Sequence, residues 1–175
     1  GWAHWIRNIP EWSRHYRLML PDLPGHGDSA MPPEPISGHG LAEIVAGGLD
    51  RLLPGGAPCD VAGFSFGGIV SGCLAEQMGD RIRNLVICGS NGLGLPRTHL
   101  TGFKHWRGIT DPEELAAAHR NNLAILMFAD PDNIDDLAIH IQATNTPKAR
   151  IKSRLIAVTD VLGAALPKVS ARLAG

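Results

Sequence analysis

The stretch Asp60-Val61-Ala62-Gly63-Phe64-Ser65-Phe66-Gly67-Gly68 decides the architecture. Its first residues read as a short apolar strand that runs straight into a G-x-S-x-G turn, and Gly68, Ser71 and Gly72 then open a helical pattern of small residues. A serine on a sharp strand-to-helix turn needs small residues two before and two after it, so that neighbouring backbone can pass closely. Gly63 and Gly67 occupy those places. The helix begins at the serine, so its N-terminal dipole and the backbone N–H of Phe66 face any negative charge that develops on a substrate carbonyl. Ser65 is therefore the candidate nucleophile and Phe66 N–H the candidate for one half of an oxyanion hole. G-x-S-x-G alone is a weak pattern, and a purely structural Ser65 is the competing reading. The strand before it and the small-residue helix after it exclude most accidental matches.

Outward from this turn, short apolar runs alternate with helical patterns: Arg17 to Leu20, Leu41 to Leu53, Asp60 to Phe64, the helix after Ser65, and Asn84 to Cys88. Such alternation predicts an α/β fold with a mostly parallel sheet. In the segment 41–53, Leu41, Ile44, Val45, Gly48, Leu49 and Leu52 share one helical face, and Glu43, Asp50 and Arg51 point to water. The rhythm changes near residue 92. Beyond residue 95 no strand is expected, and three helix starts follow, each with a capping residue before a proline: Asp111-Pro112, Asp130-Pro131 and Thr146-Pro147. Asp111 with Glu114 matches a capping box, and Ile134, Leu137, Ala138 and Ile141 form an apolar stripe on the second helix. Residues 96–163 read as a helical insert, either a cap over the sheet or a helical tail on its flank.

Composition bounds the partners. A chain of 175 residues suits one domain with room for an inserted piece, and a net charge of -1 gives no bias toward nucleic acid. No apolar run approaches the roughly 20 residues that cross a bilayer, so no membrane is expected. Cys59, Cys73 and Cys88 make no CxxC pair, which favours a reducing, cytoplasmic setting in which all three are small buried residues. No pairing of histidines suggests a metal site, and none is expected.

Several blocks together resemble the α/β-hydrolase superfamily, in the same order and over most of the chain. Trp2 to Trp12 is similar to the helix after that family's oxyanion loop, and Leu20-Pro21-Asp22-Leu23-Pro24-Gly25-His26-Gly27-Asp28-Ser29 resembles its D-x-P-G-H-G-x-S loop. Gly63 to Gly68 looks like its nucleophile elbow, and Asn84 to Cys88 like its sixth strand, after which such proteins often carry a helical cap. The resemblance implies a partial hydrolase core over 1–95, a cap over 96–163, and the start of the return to the core over 164–175, with Lys168 to Leu173 resembling a return helix. It implies that His26 shapes a loop and moves no proton. It also implies that the triad acid and histidine come after the cap, so that this chain stops short of them, and that both ends look cut. In the family's strand order, Arg17 to Leu20 and Asp60 to Phe64 would flank an empty slot.

The function implied is that of a serine hydrolase acting on an ester, thioester, amide or activated C–C bond of a small acyl substrate through a Ser65 acyl-enzyme, without a cofactor. Phe64, Trp106 and Arg150 are candidate substrate-lining residues, and His105, Ser153 and Arg154 are weaker ones. Meta-cleavage C–C hydrolases are a candidate subgroup in which Arg150 would bear testing. The competing reading is a non-catalytic binding or scaffold protein of the same shape. The remaining histidines, His4, His15, His39, His99, His105, His119 and His140, are expected at surface or lid-lining positions.

Overall fold

The computed structural model describes residues 1–96 and 100–174. Its helices are α1 (Ile9–Trp12), α2 (Gly38–Leu52), α3 (Phe66–Met78), α4 (Pro112–Leu126), α5 (Asp136–Asn145), α6 (Ser153–Ala157) and α7 (Val161–Ala165). Its strands are β1 (Cys59–Phe64), β2 (Ile82–Cys88) and β3 (Arg172–Ala174). The chain divides into two compact units, one of residues 1–29 with 98–150, the other of residues 30–97 with 151–175.

The second unit carries the sheet. β1, β2 and β3 lie in that order, all parallel, with Gly63 opposite Ile87, Phe64 opposite Cys88, and Leu85 opposite Leu173. Helix α3 links β1 to β2 and packs on both, as well as on α2 and α7. It is apolar on all sides: Ile69, Val70, Cys73, Leu74 and Ala75 are all buried. Close approach depends on small residues at the contacts. A Cβ at Gly72 would stand 2.3 Å from Leu162 Cδ1, and one at Gly38 would stand 3.2 Å from Cys73 Sγ. Ile82 and Leu85 of β2 join Ala75 in a buried cluster that Val61, Met78, Leu166 and Val169 close over. Burying each large side chain there stabilises the unit by about 1.5–3 kcal/mol.

Three details of this unit depart from the sequence reading. The buried face of α2 is Leu41 and Ala42, with Val45 and Leu49 half-buried, while Ile44 and Leu52 stay 42% and 52% exposed. The strand β3 replaces the return helix expected over 168–173; three exposed residues offer no alternation by which a sequence could announce them. The expected insert is divided, since α6 and α7 belong to the sheet unit, where Leu162 and Ala165 are buried.

The other unit is helical. Asp111 caps α4 by accepting from Glu114 N–H at 2.8 Å, as expected, and Arg7 donates from one nitrogen to both carboxylate oxygens of Asp135 at 2.6 Å. The second expected start moves: Asp130 caps only a single turn at Pro131–Asn133, and Asp135 caps α5 by accepting from Ala138 N–H at 2.9 Å. Ile134 is buried, but Leu137 is 39% exposed, so the expected stripe is incomplete. Thr146-Pro147 ends α5 instead of starting a helix. The Thr146 hydroxyl donates to the Gln142 carbonyl at 2.9 Å, and proline past a helix end loses no hydrogen bond. Arg17 to Leu20 forms no strand; among the described residues it has no ladder partner, and an extended segment without one is not a strand.

Candidate active site

β1 ends at Phe64, and the chain turns at Ser65 with φ 52° and ψ -121° before entering α3. Ser65 is the one non-glycine residue with positive φ among the described residues. A side chain held there costs about 1–3 kcal/mol, so the surroundings must over-determine the turn. They do so through three hydrogen bonds. Ser65 N–H donates to the Cys88 carbonyl at 2.9 Å, Gly68 N–H donates to the Ser65 carbonyl at 2.9 Å, and the Ser90 hydroxyl donates to that same carbonyl at 2.8 Å.

The glycines divide the steric work differently from the pattern. A Cβ at Gly63 would lie 2.6 Å from Gly68 Cα and 2.7 Å from the Gly67 carbonyl oxygen, so backbone itself forbids a side chain. A Cβ at Gly67 would meet nothing within 4 Å. The close approach expected there falls instead on Gly68, where a Cβ would stand 1.8 Å from Ser90 Oγ and 3.0 Å from Ile87 Cγ2. Phe64 is half-buried, with its ring beside Gly89; a Cβ on Gly89 would sit 3.5 Å from Phe64 Cε2. Sequence reading missed Ser90. It lies 25 residues from Ser65 and follows β2 in a Gly-Ser-Asn-Gly run that reads only as a loop.

The sheet unit contains one histidine, His39, and that side chain is engaged with Glu76 at 2.9 Å. Glu76 also accepts from Lys168 at 2.7 Å, and these bonds, that to Lys168 foremost, hold its carboxyl below the usual range. Within this unit no described histidine is hydrogen-bonded to the Ser65 hydroxyl.

Trp106 and Arg150 belong to the helical unit, and each is occupied locally. The Trp106 ring lies 5.7 Å from that of His119, and the Arg107 guanidinium sits 4.6 Å over it. Arg150 donates its backbone N–H to the Gly25 carbonyl at 2.9 Å and its guanidinium to the carbonyls of Gly27 and Ser29. His26, in the same loop, bonds the Pro24 carbonyl through Nδ1 at 3.2 Å. Surface placement fails for His119, which is 1% exposed with Nδ1 unpartnered; burial lowers its pKa. His99 lies outside the described residues. Cys73 is buried, with its thiol pushed up to about 11, and Cys59 is half-buried, whereas Cys88 is exposed, contrary to expectation. Among the described residues no three His, Cys, Asp or Glu side chains cluster to hold a metal, and no helix is long and apolar enough to cross a membrane.

The family model described as "Alpha/beta hydrolase family" matches residues 1–173. The chain belongs to that family. Its parallel sheet and flanking helices are thus those of an α/β hydrolase. The chain is 35% identical over 133 residues to the dihydrolipoyllysine-residue acetyltransferase component of the acetoin cleaving system of Pseudomonas putida, covering 73% of this chain and 32% of that protein. It is 35% identical over 105 residues to 2-hydroxy-6-oxo-2,4-heptadienoate hydrolase of Pseudomonas putida, covering 56% and 35%. It is 30% identical over 155 residues to the pimeloyl-[acyl-carrier protein] methyl ester esterase of Aeromonas hydrophila, covering 86% and 54%. The chain therefore spans between about a third and about a half of the length of these curated relatives. The structure of the meta-cleavage product hydrolase CumD superposes with a TM-score of 0.60 at 20% identity, over 99% of this chain and 61% of that one, which shows the shared fold.

Proposed function

We propose that the protein is a serine hydrolase in which Ser65 attacks the carbonyl of a small ester or of an activated C–C bond. The observation that carries this reading is the strained Ser65 at the start of α3, with its backbone bonded on both sides. Attack by Ser65 Oγ forms a tetrahedral adduct whose oxygen takes the negative charge, and Phe66 N–H at the helix start is the donor for it. Collapse expels the leaving group and leaves an acyl-Ser65 ester, which water then cleaves. A histidine must take the serine proton, and an acid must orient that histidine. We take both to come from sequence outside this chain; in the sheet unit the His39 side chain is engaged with Glu76. No cofactor takes part. The relatives named as a methyl ester esterase and a heptadienoate hydrolase support the two bond types. The cysteines, none of them in a disulfide, support a cytoplasmic setting.

The test is fluorophosphonate labelling of the full-length protein with peptide mapping. The adduct is expected on Ser65, and Ser65→Ala is expected to lose both the adduct and turnover of a chromogenic short-chain ester. Labelling elsewhere, or full activity in Ser65→Ala, removes Ser65 from the mechanism. The 175-residue chain by itself should hydrolyse that ester no faster than its own Ser65→Ala variant.

A further inference from the structure

The carbonyl of Ser65 and the N–H of Phe66 belong to one peptide unit. A trans peptide is planar, and its C=O and N–H point in opposite directions, so whatever fixes one fixes the other. The Ser65 carbonyl accepts twice, from Gly68 N–H at 2.9 Å and from the Ser90 hydroxyl at 2.8 Å. The first bond belongs to the opening of α3. The second comes from the segment after β2, the same segment whose Cys88 carbonyl receives Ser65 N–H at 2.9 Å. The peptide units on both sides of Ser65 are therefore clasped by residues 88–90, and the Ser90 side chain is the part of that clasp that a substitution can remove.

From this geometry we propose that Ser90 is a positioning residue for the oxyanion donor, acting on Phe66 N–H through the Ser65–Phe66 peptide. It works in two ways. The bond fixes the rotation of the peptide plane, and hence the direction of the N–H. Donation into the carbonyl also polarises the amide, which strengthens its N–H as a donor, because hydrogen bonds in series reinforce one another. Ser90 touches no reacting atom. Its influence appears where negative charge appears, in the transition state and not in the ground-state complex. The proposal rests on the reading of Ser65 as nucleophile.

The experiment compares Ser90→Ala and Ser90→Cys with the wild-type full-length protein, and uses Ser65→Ala as the control for the underlying reading. Measurements are kcat and KM for a chromogenic ester, and the inhibition constant of an alkyl trifluoromethyl ketone, whose serine adduct carries the same oxyanion. Ser90→Ala is expected to lower kcat about tenfold with KM nearly unchanged, less than the loss of a whole donor, and to weaken the ketone by a matching factor. Ser90→Cys, with a weaker donor in the same place, is expected in between. Unchanged kcat in Ser90→Ala overturns the proposal. So does a raised KM at constant kcat, or a lowered kcat with the ketone unaffected. If Ser90→Ala does not fold, Ser90→Cys is judged by the same pairing of kcat with ketone affinity. Full activity in Ser65→Ala would instead remove the nucleophile itself, an outcome distinct from any of these.

Discussion

A Cβ on Gly68 would stand 1.8 Å from the hydroxyl oxygen of Ser90, so the bond from Ser90 to the Ser65 carbonyl exists only because position 68 has no side chain. The first turn of α3 and the segment after β2 are fitted to each other at this point. Gly67, one residue earlier and part of the G-x-S-x-G pattern, faces open space within 4 Å.

These neighbouring glycines should therefore respond oppositely to alanine. Gly68→Ala must displace the Ser90 hydroxyl and crowd Ile87, which overpacks a filled site at about 1–3 kcal/mol and lowers kcat as Ser90→Ala does. Gly67→Ala meets no atom and removes backbone entropy from the unfolded chain, so stability should hold or rise by about 0.4–1 kcal/mol. Chemical denaturation and ester kinetics on the full-length protein check both. The Gly68→Ala/Ser90→Ala pair should lose less kcat than the product of the single losses, because both substitutions remove one bond.

The strand–turn–helix around Ser65 was legible in the sequence because its signal is local: a strand, a glycine-flanked serine and a small-residue helix within a dozen positions. The same holds for the Asp111 cap, whose acceptor and donor lie three residues apart. Legibility fails where the deciding partner is distant. Ser90 acts on a residue 25 positions away, and Arg17 to Leu20 has strand composition but no ladder partner among the described residues. Helix α2 shows a subtler failure. The pattern allowed a face through Ile44 and Leu52, yet the packed face runs through Leu41 and Ala42, both fully buried on a helix that packs against α3.

Arg150 should matter for stability before it matters for substrate. Its guanidinium donates to the carbonyls of Gly27 and Ser29, and its backbone N–H to that of Gly25, so it pins the loop of residues 25–29. Arg150→Ala should cost about 1–2 kcal/mol, from charge-assisted bonds that lie at an exposed site. Both side-chain bonds leave one guanidinium nitrogen, Nη2, so Arg150→Lys should recover part of the loss where its ammonium reaches that point. Faster hydrogen exchange over residues 26–29, with KM for the ester unchanged, is the expected result. A tenfold rise in KM with normal exchange would assign Arg150 to the substrate instead.

The last prediction concerns His119, which is buried against Trp106 with Nδ1 unpartnered. Burial disfavours its charged form, so its pKa in the folded protein lies below the ordinary 6.5. Below pH 6.5 the unfolded chain therefore binds a proton that the folded chain resists. The stability due to neutral His119 is complete above that pH and falls as the pH drops through it. His4 and His26 are lowered by burial in the same sense and add to the slope. Glu76, Asp28, Asp60 and Asp135 have carboxyls held below their ordinary values of 4.5 and 3.8, so their losses come at lower pH. Thermal melting between pH 7.5 and 5.5 covers the histidines and stays above the range of the carboxylates. The melting temperature should fall across that range, and His119→Leu, close in volume and unable to bind a proton, should flatten part of the fall while keeping or raising the value at pH 7.5. Equal slopes in wild type and His119→Leu would mean that His119 takes up its proton in the folded state at little cost, through an opening of its surroundings that the packing against Trp106 does not suggest.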